Sequence, residues 1–116
     1  MAKDDYYTLV AQVLVFLYKK LKGKTDEQTA DFIAPMTKAF PISEDYLLYV
    51  LDEMHKHGYI QGITIAHAWG GVPINASGYD SLRITPEGID YLRENSTIRK
   101  VAESIPGAAA IAQIFM

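Results

Sequence analysis

The chain reads as a single α+β domain on three observations. Apolar residues repeat at helical spacing near the start, a β-branched stretch follows Gly58, and a helix is announced by the cap "ITPEG". At 116 residues it has the size of one domain, and 49% hydrophobic against 22% charged residues is the balance of an ordinary globular protein. Cysteine is absent, which removes disulfides, thiolate metal ligands and cysteine nucleophiles.

Val10, Val13, Leu14, Leu17 and Leu21 recur at three- and four-residue steps, so a core helix is expected from about Asp4 to Lys22, with Gly23 as its terminator. Lys19, Lys20 and Lys22 suit the negative pole of its dipole. "TDEQ" (Thr25 to Gln28) is a capping box that opens a second, shorter helix, broken or kinked near Pro35. "SEDYLLYVLDEMHKHG" predicts the clearest helix: Ser43 as N-cap, Leu47, Val50, Leu51 and Met54 on one face, Gly58 as the stop.

Tyr59 to Ala66 is expected to be a strand, with Ile63 and Ile65 alternating against Thr64 and Ala66. A loop dense in Gly, Pro, Asn and Ser follows, and "YDSLRI" returns as a second strand to complete a long hairpin. Thr85 then caps a helix with Pro86 at its first position. Ile84 and Ile89 can staple the entry, and Gly88 is expected to pack closely against another backbone. Asn95 is read as a left-handed C-cap, with another helical turn or two over "STIRKVAESI" before Pro106 and Gly107.

Three helices, a hairpin and C-terminal helix form the order of a winged helix-turn-helix-like domain, residues 1–107, followed by an apolar tail, 108–116. Ser43 to His57 takes the position of a recognition helix and residues 59–84 that of the wing. "GYIQGI", a long hairpin, and then "LRITPEGIDYLRENSTIRKVAESIPG" resemble the YjcQ family, small winged-helix-like proteins of bacteria and their prophages, from about Ser43 to Gly107. The resemblance implies that fold, linked to DNA binding by its shape and to phage particles by genomic setting. No functional residue carries over from it.

The formal net charge is -3 and the pI near 5.5, which gives no overall attraction to nucleic acid or an anionic membrane. The recognition helix carries Glu44, Asp45, Asp52 and Glu53 against Lys56, and residues 59–82 contain no lysine or arginine, so the wing is no phosphate clamp. A DNA-binding reading rests on Tyr46, Tyr49 and Lys56, with Lys19, Lys20, Lys22 and Lys24 alongside; its expected form is weak, nonspecific binding lost at moderate salt.

The leading expectation is a protein-interaction module. Trp69, in "HAWGGVP", is either an exposed anchor for a partner or folded back beside Val72, Pro73 and Ile74, and Tyr79 is grouped with it. The eight tyrosines could add a sticky surface. The apolar tail needs a cover, and a homodimer through it is expected. His55 and His57 point to different sides of a helix, and His67 has no carboxylate near it in sequence. No enzyme activity, metal or cofactor is therefore expected. The first apolar run is short of the roughly 20 residues that span a bilayer, and the chain is read as cytoplasmic with no membrane partner.

Overall fold

The computed structural model describes residues 5–23, 28–29 and 44–103. The Thr25 capping box, the break near Pro35, Ser43 as N-cap, Lys24, Pro106 with Gly107, and the 108–116 tail with its expected dimer contact lie outside the described residues. Of the expected second helix, Gln28 and Thr29 are described, and Thr29 is helical and buried.

Helix α1 (Asp5–Leu21) is the centre of the domain, touching every other described helix and the last strand. Its apolar residues are spread around the whole circumference. Leu9, Val10, Ala11, Val13 and Leu14 are buried, as are Val15, Phe16, Leu17 and Tyr18. A helix apolar all round must be covered all round. Leu21, assigned by spacing to the same core face, is instead 57% exposed.

Helix α2 (Glu44–Lys56) buries Leu47, Val50, Leu51 and Met54. It ends as its glycine predicts: Gly58 takes φ +79°, its N–H donates to His55 O at 3.1 Å, and the Tyr59 N–H donates to Met54 O at 2.9 Å. This pair of bonds satisfies the last carbonyls of the helix and aims the chain into the hairpin.

The hairpin is built in two storeys. Strand β1 (Ile60–Gln61) pairs antiparallel with β4 (Arg83–Ile84), and β2 (Thr64–His67) pairs antiparallel with β3 (Pro73–Ser77). The single strand expected over 59–66 is broken at Gly62, at φ +91°, where a Cβ would lie 1.8 Å from Ser81 O. The expected return strand over "YDSLRI" begins as a 3-10 turn, Tyr79–Ser81, and only its end is strand. The stretch read as loop contains β3, whose proline sits at the first strand position, where its missing donor is tolerated.

Helix α3 (Pro86–Glu94) starts as its sequence dictates. Thr85 is extended at φ -98°, ψ 167°, and accepts from Gly88 N at 3.0 Å. Its hydroxyl also donates to Gly58 O, and its N–H reaches Tyr59 O at 3.1 Å, so the end of α2 and the start of α3 are tied through one residue. Gly88 packs where a Cβ would be 2.3 Å from Tyr59 O, the close backbone approach its sequence context predicted. Asn95 is not left-handed: at φ -76°, ψ 115° it is extended, and its side chain accepts from Ile98 N at 3.0 Å. It therefore closes α3 and caps helix α4 (Ser96–Glu103), which lies on α1.

Four described helices around an antiparallel hairpin make an α+β fold compatible with a winged-helix-like domain. Among the described residues no helix is long and apolar enough to cross a membrane.

Candidate functional site

The wing tip is a tight loop on the β2–β3 ribbon. The Ala68 N–H donates to Val72 O at 2.7 Å and the Gly71 N–H to Ala68 O at 3.0 Å, while Gly70 and Gly71 take φ near +80°. Trp69 stands on this loop 100% exposed, flanked by Val72 at 58% and Ile74 at 61%. Of the two readings open to Trp69, the structure shows the exposed one. Register slips between Ala66 and His67, which pair with Asn75 and Pro73, leaving Ile74 as the extra residue of a bulge.

Tyr79 does not share this tip. It lies at the far end of β3, half-buried against the core and ~17 Å away along a five-residue strand.

The wing leans on the recognition helix. β3 packs against α2, and the side chain of Asp52, 3% exposed, is met by His67 Nε2 at 2.9 Å and by Lys56 Nζ at 3.2 Å. Burial alone would raise the Asp52 pKa, but the hydrogen bonds from His67 and Lys56 outweigh it and hold the carboxyl below its ordinary value. Asp52 is one of the acidic residues counted on this helix, and the carboxylate that His67 lacks nearby in the chain is brought to it by folding. Only the four-residue spacing of Asp52 and Lys56 was visible in the chain, since the histidine arrives from 15 residues away.

Tyrosines of α1 and α2 meet one another. Tyr6 meets Tyr7 edge-on at 5.3 Å and Tyr49 at 6.4 Å with planes tilted by 60°, and Tyr46 stacks by Tyr49 at 6.3 Å. Tyr91 of α3 stacks on Tyr59 at 4.2 Å, and His57 stacks on Tyr59 at 5.6 Å. Burial, helped by Tyr91, Glu53, Tyr49 and Tyr7, pushes the Tyr6 phenol up to about 12; burial and the neighbouring Tyr59 and Tyr7 raise Tyr91. Six of the eight tyrosines thus belong to one neighbourhood, with Tyr7 and Tyr49 more than a third exposed.

A family model for "YjcQ protein" matches residues 15–107. The chain belongs to the YjcQ family. No curated protein and no solved structure matches it.

Among the described residues, the cations named for nucleic acid in this YjcQ-family chain are Lys19, Lys20 and Lys22 around the end of α1 and Lys56 on α2. Lys56 is spent on Asp52, and Lys22 lies 5.8 Å from the centre of the Tyr18 ring. Lys19 and Lys20 lie in the last turn of α1 and Lys22 just beyond it, whereas Tyr6, which touches Tyr49, is in its first turn; the rise of a helix puts ~20 Å between Tyr6 and Lys19. The aromatic cluster around Tyr6 and Tyr49 and the basic end of α1 in this YjcQ-family chain therefore do not lie side by side. Among the described residues no group of three or more His, Asp or Glu side chains is placed to hold a metal ion.

Proposed function

We propose that this YjcQ-family protein is a cytoplasmic, non-catalytic protein-interaction module that inserts its wing tip, Trp69 with Val72 and Ile74, into a partner protein. The observation that carries the reading is the full exposure of Trp69 at the end of an anchored ribbon. A bare indole with two half-bare aliphatic neighbours costs free energy in water and recovers it on burial, about 25 cal/mol per Å² of apolar surface. Tryptophan is also among the residues that dominate binding energy when buried in a partner's pocket. The bonds across Ala68 and Val72 hold the loop in one shape, so little conformational entropy is lost on docking.

A DNA-binding regulator is the second reading, supported by the order of elements and by Tyr46 and Tyr49 on the recognition helix. Charge opposes it: Lys56 is paired and the wing has no lysine or arginine from residue 59 to 82. Fluorescence anisotropy of a labelled random duplex, titrated at low and physiological salt, separates the two. The module predicts flat traces at physiological salt, and nanomolar binding that falls steeply with added salt would replace it with the regulator.

A further inference from the structure

We infer that Tyr6, Tyr7, Tyr49 and Glu53 form a second contact surface, which takes the cationic side chain of an arginine or lysine from an extended segment of a protein partner. Trp69 and this surface stand independently.

Tyr6 joins the other two rings, meeting Tyr7 edge-on at 5.3 Å and Tyr49 at 6.4 Å. Tyr6 and Tyr7 meet at 88° and Tyr6 and Tyr49 at 60°, so the three rings do not close into one stack. Tyr7 is 38% and Tyr49 46% exposed, so both side chains are within reach of a ligand. The face of a phenol ring carries negative potential and attracts a cation within about 6 Å of its centre.

Charge selects the occupant. Glu53 follows Tyr49 by four residues on α2, the spacing that sets two side chains on one helix face, and it helps raise the Tyr6 phenol; among the described residues no lysine or arginine stands within ion-pair distance of Glu53. Helix α2 carries four carboxylates to one lysine, and that lysine is held by Asp52; α3, which brings Tyr91, carries three carboxylates to one arginine. The described lysines of α1 sit at its opposite end. Stacked bases are disfavoured on this surface, because single-stranded nucleic acid needs a positive groove beside its aromatic platform. A guanidinium or ammonium instead finds ring faces and a carboxylate together.

The test uses the whole protein and a fluorescein-labelled octapeptide of alternating Arg and Ser at physiological salt, with lysine and citrulline counterparts and a labelled single-stranded oligonucleotide. The arginine and lysine peptides are expected to bind, and citrulline, which keeps the shape without the charge, to bind at least about fivefold more weakly. Glu53→Gln and Tyr49→Ala, at solvent-accessible positions, should each weaken the arginine peptide by a similar factor, while Asp80→Asn, a remote exposed acid, leaves it unchanged. Equal weakening by Glu53→Gln and Asp80→Asn would mean diffuse attraction to an acidic protein and overturn the proposal. So would equal binding of citrulline, preferred binding of the oligonucleotide, or no binding of the cationic peptides.

Discussion

His67 Nε2 lies 2.9 Å from Asp52 Oδ1, so a buried carboxylate of α2 is answered from the last residue of β2. The contact fixes how the ribbon leans on α2, and through the ribbon it fixes where Trp69 points. Position of the tip is thus set by a polar bond at its root as well as by β3 packing.

Removing the histidine exposes what the bond contributes. His67→Ala leaves Asp52 buried with Lys56 alone, and should cost about 1–3 kcal/mol in urea denaturation at neutral pH. Asp52 is held below its ordinary 3.8, so the folded state binds fewer protons than the unfolded chain and the stabilisation is present above that value. It is lost as pH falls through the lower folded value. Denaturation from pH 6 to 2 should show this acid limb in the native protein and a shallower one in Asp52→Asn.

The opposite limb belongs to Tyr6. Its phenol, raised to about 12, stabilises the fold below the ordinary value of 10.0 and ceases to do so as pH climbs through 12. An alkaline titration followed by tyrosinate absorbance should contain a late component that disappears in Tyr6→Phe.

Three glycines separate steric need from backbone need. Gly88→Ala gains about 1 kcal/mol of helix propensity but places a methyl 2.3 Å from Tyr59 O and 2.8 Å from Ile84 Cγ1, so a net loss of stability is expected. Gly62→Ala meets Ser81 O at 1.8 Å in a left-handed conformation and should be the worst. Gly70→Ala, left-handed with nothing within 4 Å, should lose only about 1–2 kcal/mol. Thermal melts of the three rank them.

Thr85 serves two helices at once. Thr85→Ala should cost about 1–2 kcal/mol for the lost cap and more for the broken link to Gly58, while Thr85→Ser, which keeps the hydroxyl, should retain most of the stability. Equal losses in the two variants would show that the methyl group, not the cap, matters.

What the chain announced were the features governed by short-range rules. The Thr85 cap with Pro86, the Gly58 stop, the tight packing of Gly88, the core face of α2 and that of α1 from Val10 to Leu17 follow from spacing and capping chemistry within a few residues. The hairpin was legible as a hairpin but not in its detail, because the break at Gly62 depends on Ser81 across the sheet. Strand β3 was hidden by Pro73, Asn75 and Ser77, residues that signal a loop unless a partner strand supplies the pairing. Asn95 misled because it serves as a cap in either direction, and its side chain chose the helix that follows. In the candidate site, Trp69 could be singled out as the one tryptophan, but its exposure could not. The partner of Asp52 and the gathering of tyrosines from α1, α2 and α3 arise only on folding.

The most direct measurement of the central claim places photo-reactive benzoylphenylalanine at position 69 in producing cells, with the same residue at Asp80 as control. Exposure of Trp69 means the replacement should leave stability within about 0.5 kcal/mol of the native protein. The account predicts a discrete protein adduct from position 69 and none of that mass from position 80. Adducts with nucleic acid, or the same scatter of products from both positions, would contradict it.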